Sequence, residues 1–192
     1  AIHDYLVDNI NYVDTGDSSY NAYSALINGI AVCSGYTECF KTLLDMLGIE
    51  NATISGEAGG QQHIWNVVNL DNHWYHVDVT WDDPVGSSSN YIDHSYFNIS
   101  ADDMALDHTW DRSRYSDYEK CGAKYSYYRY KKLPLISNVN QLNKLIYSTV
   151  KNKTAHIEFT TTYNADLKEA ISRTGQQLSY SYKNIDRVNY TL

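Results

Sequence analysis

Cys33, His63 and Asp78 are the residues whose types and order could carry a thiol acyl-transfer reaction. In such chemistry a cysteine thiolate attacks an acyl carbon, an imidazole moves the proton, and a carboxylate orients the imidazole and stabilises its cation. Cys33 stands in Val32-Cys33-Ser34-Gly35-Tyr36, just before a stretch in which Tyr36, Cys39, Phe40, Leu43, Leu44 and Leu47 recur at the spacings of one helix face. Gly48 stands where a left-handed C-terminal cap is wanted. The spacing therefore predicts a helix with Cys33 at its N-terminus. There the unpaired N–H groups and the positive end of the helix dipole favour the thiolate, and can pull a cysteine below its free pKa of roughly 8.5.

The other two residues need a hairpin to meet. The runs His63–Leu70 and His73–Thr80 are rich in β-branched and aromatic residues and are separated by Asp71-Asn72. With those two at the tip, Leu70 pairs with His73, Trp65 with Asp78 and His63 with Thr80. His63 and Asp78 then share a face as diagonal neighbours, roughly 7–8 Å apart at the backbone, a gap their side chains can close. An odd-length loop would put them on opposite faces. His76 shares that face too and is the rival for the role of base.

These strings also resemble a known family. Gly29-Ile30-Ala31-Val32-Cys33-Ser34-Gly35-Tyr36, Leu47-Gly48-Ile49, His63-Ile64-Trp65-Asn66, and Trp74-Tyr75-His76-Val77-Asp78-Val79-Thr80-Trp81-Asp82-Asp83-Pro84 closely resemble the bacterial branch of the transglutaminase-like superfamily. The resemblance extends upstream through Ile2-His3-Asp4-Tyr5-Leu6. Downstream it runs through Tyr96-Phe97-Asn98-Ile99-Ser100 and Asp107-His108-Thr109-Trp110, covering roughly the first two-thirds of the chain. It implies an α+β, papain-like core with N-terminal helices, the nucleophile at a helix start and an antiparallel sheet. It further implies Cys33 as nucleophile, His63 as base and Asp78 as the orienting acid, and it favours His63 over His76 because the His-Ile-Trp-Asn context is that of the family's base. No motif fixes an oxyanion-hole side chain. The calcium-binding segments of the animal transglutaminases have no counterpart that aligns, so calcium independence is expected.

The remaining candidates have plainer readings. Cys39, on the apolar face of the predicted helix, reads as a packed, inert thiol. Three cysteines cannot all pair, and they lack the close spacing of a zinc site, although a bridge between Cys39 and Cys121 stays open in an oxidising compartment. Asp82-Asp83-Pro84 lacks the ligand spacing of a calcium loop and reads as a turn. His94 and His108, scattered among aspartates, read as surface residues rather than metal ligands.

The chain has 192 residues and a formal net charge of −8, which argues against a nucleic-acid partner. No apolar run approaches the roughly 18 residues of a membrane span. The sequence starts at Ala1 without an initiator Met and reads as a trimmed or mature fragment. Nineteen tyrosines with abundant Asn and Ser suit an extracellular or cell-surface protein. Helices are expected near 2–11 and 19–28, a strand at 52–55, a loop over 57–62, a surface loop over 86–90 and a strand over 125–130. Pro134 is the expected boundary between a catalytic domain, 1–133, and a small α/β appendage, 134–192. The appendage should hold a helix through Leu142, Leu145 and Ile146, a strand through Ala155, Ile157 and Phe159, a helix through Leu167, Ala170 and Ile171, and strands near 178–183 and 186–191.

The expected reaction is attack by Cys33 on a carboxamide such as a glutamine side chain, giving an acyl-thioester and needing no cofactor or metal. A lysine amine as second nucleophile gives an isopeptide crosslink, as a transglutaminase makes; water gives a peptidase or amidase. A non-catalytic binding module is the third reading, and it must explain an intact triad.

Overall fold

The computed structural model describes residues 2–16, 18–83, 92–152, 157–161, 169, 170 and 173. The chain divides into two compact units, Ala1–Tyr130 and Lys131–Leu192. Among the described residues no helix is long and apolar enough to cross a membrane.

In the first unit, α1 (Ile2–Asn9) leads into β1 (Asn11–Tyr12), which pairs in parallel with β2 (Ile30–Ala31). Between them the expected helix near 19–28 is a short π-helical turn, Ser24–Asn28, closed by Gly29 at φ 66°. Then α2 runs Cys33–Met46. Its end is a Schellman cap: Gly48, at φ 68°, donates to Asp45 O and Ile49 donates to Leu44 O, both at 3.0 Å. Five antiparallel strands follow in the order β6-β5-β4-β3-β7: β3 (Asn51–Ala58), β4 (Gln61–Leu70), β5 (His73–Val77), β6 (Phe97–Ile99) and β7 (His108–Thr109).

The sheet buries both faces, as strand alternation allows. Val68, Tyr75 and Val77 pack with Leu6 of α1 and with Tyr36, Phe40 and Leu44 of α2. Ile54, Trp65, Val67 and Ile99 pack on the opposite side with Tyr96 and with Met104 of α3 (Ala101–Met104). One glycine is essential to this arrangement: a Cβ on Gly56 would stand 2.1 Å from Thr109 O, so only glycine lets β7 lie against β3 there.

The stretch 57–62 is no loop, because Gly59 and Gly60, at φ 57° and 77°, turn the chain in two residues and Glu57 pairs with Gln62. The strand expected to reach Thr80 stops at Val77, after which the Asp78 N–H donates to Tyr96 O. The strand expected over 125–130 contains instead the helical turn α4 (Tyr127–Tyr130). Consecutive Tyr127 and Tyr128 both reach the 94–95 segment, the first stacking on His94 and the second donating to Ser95 O, which a strand's alternation would forbid.

In the second unit, β8 (Leu135–Ile136) pairs in parallel with β9 (Thr160–Thr161). Helix α5 (Val139–Lys151) is capped by the Asn138 side chain on Gln141 N, and its Leu142 packs with Ile136 and Phe159. The strand expected through Ile157 and Phe159 is thus confined to the next two residues. Pro84, residues 86–90, Ala155, Leu167, Ile171 and the strands expected near 178–183 and 186–191 lie outside the described residues.

Candidate active site

Cys33 is the first residue of α2, preceded by Val32 in extended conformation, which supplies no side-chain cap. The first-turn N–H groups therefore have no capping oxygen from the N-cap residue and face an anion readily. Two ties fix this helix start against the sheet beside His63. Thr37 Oγ1 donates to Ile64 O at 2.9 Å, and Asn66 Nδ2 donates to Thr37 O at 3.1 Å. A third, from the Tyr36 hydroxyl to Asp83, joins it to the segment that follows Asp78. Gly35 is required for a close approach, since a Cβ there would meet Ser19 O at 2.7 Å.

The hairpin has the register expected of it. Asp71 and Asn72 form the tip, at φ 54° and 60°, and Leu70 pairs with His73, Val67 with His76 and Asn66 with Val77. Left-handed backbone at both central residues is what a type I′ turn demands, and Asp and Asn tolerate it. His63 Nε2 meets Asp78 Oδ2 at 2.5 Å, and Cys33 is near enough to the ring to act on its charge. Burial opposes a charge on His63, but the hydrogen bonds to Asp78 and Cys33 outweigh it and hold its pKa up at about 9. Near neutrality His63 is an imidazolium beside Cys33, at a helix N-terminus.

Asp78 is 1% exposed and has every acceptor position in use. Its Oδ1 accepts from Thr80 N at 3.0 Å and Trp81 N at 3.2 Å, while its Oδ2 faces His63 and also His108 Nε2, at 3.1 Å. Burial would raise its pKa, yet the hydrogen bonds from His108 and His63 bring it below the ordinary value. The carboxylate stays ionised because two imidazoles share it.

His108, expected at the surface, is fully buried. Its Nδ1 meets Asp107 Oδ1 at 2.6 Å, so both ring nitrogens face carboxylates, an arrangement that the doubly protonated ring satisfies. Asp107 in turn accepts from the Tyr96 hydroxyl at 2.6 Å. The signal available was the Asp107-His108-Thr109-Trp110 string within the family resemblance. Trp65 and Trp81 flank His63, with ring centroids 5.9 and 6.1 Å away.

The rival, His76, is on the same sheet face but accepts a hydrogen bond from Trp65 Nε1 at 3.0 Å. Burial, with the charges of His108 and Arg112, pushes its pKa down to about 3. Cys39 is 1% exposed and burial raises its pKa to about 11; Cys121 accepts from Ala101 N at 3.2 Å; all three cysteines are free. Asp82, from the run read as a turn, is fully buried, meeting His3 Nε2 at 2.9 Å and accepting from Tyr96 N at 2.9 Å. Ligand atoms of His63, Asp78 and His108 lie within 4.8 Å of one another, close enough to hold a metal, and so do those of His3, Asp4 and His94.

Residues 1–79 match the model of the transglutaminase-like superfamily. The likeness covers the first 79 of 192 residues. Cys33, His63 and Asp78 all fall inside the matched segment, and His108 falls outside it. Among solved structures, the chain is similar to a candidate cysteine protease from Cytophaga hutchinsonii, at 20% identity over 41% of this chain and 29% of that one, TM-score 0.38. It is also similar to a TGase, at 13% identity over 99% of this chain and 45% of the other, TM-score 0.38. The chain thus spans less than half the length of either. No curated protein matches it. The architecture is α+β and papain-like, and proteins of this superfamily are typically cysteine-based enzymes.

Proposed function

We propose that this protein is a thiol acyltransferase that joins protein glutamine side chains to primary amines. The observation that carries the reading is the line Cys33–His63–Asp78, with Cys33 at a helix start and the His63 imidazole held by Asp78. The Cys33 thiolate attacks the carboxamide carbon. The C–N bond breaks as His63 gives its proton to the departing ammonia, leaving an acyl-thioester on Cys33. The developing oxyanion is met by the Cys33 N–H. A lysine amine then attacks the thioester, His63 takes its proton, and an isopeptide bond forms as the thiolate departs. Asp78 keeps His63 turned with one nitrogen toward sulfur. His108 positions Asp78, acting on the reaction only through it.

The test is a paired assay on glutamine-containing proteins, following ammonia release and incorporation of a tagged primary amine. Wild type should show both and Cys33→Ala neither. Ammonia without amine incorporation would reassign the protein as a hydrolase with water as acceptor. Neither product from folded wild type would favour a binding module.

A further inference from the structure

A second convergence of imidazole and carboxylate lies on the first unit, among residues the acyl-transfer reading leaves unused. His3 Nδ1 and His94 Nε2 both stand 3.1 Å from Asp4 Oδ1, and the three ligand atoms lie within 4.8 Å of one another. A tetrahedral ion with nitrogen and oxygen ligands at about 2.0–2.2 Å sets those ligands roughly 3.3–3.6 Å apart, so two of the three separations are already near what an ion requires.

The surroundings hold both rings in place. His3 is buried, its Nε2 meets the buried Asp82 at 2.9 Å, and its ring packs on Phe97 with centroids 4.5 Å apart. This is the arrangement that fixes metal-bound imidazoles: the far nitrogen donates to a carboxylate and the near nitrogen presents its lone pair. His94 is stacked on Tyr127, with centroids 4.2 Å apart and planes within 4°. Asp4 is 36% exposed at its side chain, which leaves solvent a way to a fourth coordination position. With Nε2 on Asp82, Nδ1 is the His3 nitrogen that faces Asp4, and a cation between them would stand where a proton otherwise joins the two.

We infer that His3, Asp4 and His94 form a binding site for a divalent transition-metal ion, zinc by its ligand chemistry, with water completing the coordination. Two imidazoles and one carboxylate suit zinc better than calcium or magnesium, which take oxygen ligands. Residues from α1 and from the segment before β6 would share the ion, so it would fasten the N-terminal helix to the sheet. This site is separate from Cys33 and does not rest on the acyl-transfer reading.

The experiment is a zinc titration of chelator-treated protein in the Cys33→Ala background, which removes the thiol beside His63 as a competing ligand. Bound metal is counted after gel filtration, and melting temperature is followed with and without zinc. The expected result is about one zinc per chain, with a melting temperature raised by zinc because the ion binds only the folded state. Asp4→Asn and His94→Gln should each weaken zinc binding on the order of tenfold or more, the first at a half-exposed position where loss of the fold is not expected. Circular dichroism of the metal-free variants verifies that both are folded. Cobalt in place of zinc should give the strong visible bands of a tetrahedral site without sulfur-to-metal charge transfer. Absence of bound zinc, binding unchanged in both variants, or binding lost in His108→Gln but not in Asp4→Asn would overturn the proposal, the last by moving the ion to Asp78.

Discussion

His63 and His76 stand on one face of the β4–β5 hairpin, both largely shielded from water and both beside Trp65, and they have opposite charge behaviour. His63 is held up at about 9 and His76 is pushed down to about 3. Burial opposes the charged form of each. The difference is the partner. His63 faces a carboxylate at 2.5 Å, whereas His76 accepts an indole N–H and feels only positive neighbours, His108 and Arg112. Sheet position supplies two imidazoles, and Asp78 decides which one holds its proton near neutrality.

Removing the selecting charge is the largest perturbation. Asp78→Asn is nearly isosteric, and its amide can still accept from Thr80 and Trp81, so the hairpin should fold. It loses the charge that sustains the imidazolium, and its NH2 would meet the nitrogens of His63 and His108. Turnover should fall by about 10⁴, the loss seen when a serine triad is given the wrong tautomer. An active Asp78→Asn protein, measured with circular dichroism as folding control, would break the comparison at its root.

A smaller and more diagnostic effect is expected at His108. Turnover of wild type should decline at high pH as His63 loses its proton at about 9 and can no longer protonate the leaving ammonia. The sign for stability agrees. His63 is raised from 6.5 to about 9 in the folded protein, so its contribution is complete below 6.5 and is lost as pH rises through about 9. His108→Gln keeps one donor for Asp78 Oδ2 but removes the positive charge. Asp78 then gives more of its charge to His63, whose pKa should rise. Turnover at neutral pH should drop by roughly 10- to 100-fold, the scale of losses when a supporting partner is removed. The alkaline limb should also move upward. A lower rate with an unmoved limb would make His108 a packing residue only.

The parts of this site that were legible in the sequence are those built from local patterns. Asp71-Asn72 sets the hairpin tip, and an even-length turn puts His63 and Asp78 on one face. The apolar spacing from Tyr36 to Leu47, ended by Gly48, marks the helix that begins at Cys33. His108 was not legible because nothing local announces it. It arrives on a strand of two residues, too short for any periodicity, and reaches Asp78 only because Gly56 lacks a side chain. The Gly59-Gly60 turn is illegible for a related reason: two adjacent glycines serve a flexible loop and a two-residue turn equally well, and only strand pairing from Glu57 to Gln62 decides. Tyr127 and Tyr128 carry strand propensity, yet both side chains are needed against the 94–95 segment, and packing overrides propensity.

The smallest effect on turnover is expected at His76, where the comparison is sharpest because the change is made to the histidine that lacks the carboxylate. His76→Ala deletes a buried ring, 1% exposed, and leaves the Trp65 indole N–H without its acceptor. An orphaned buried donor costs about 1–3 kcal/mol. The melting temperature should therefore fall, while turnover by the remaining folded protein should change by less than about threefold, because His76 touches neither Cys33 nor Asp78 in any hydrogen bond of this site. Replacement by Gln, which can offer its carbonyl oxygen to the indole, should recover part of the lost stability. If His76→Ala were inactive while folded, and His63→Ala retained activity, the base would be the neutral histidine after all, and the carboxylate would not be what separates the two.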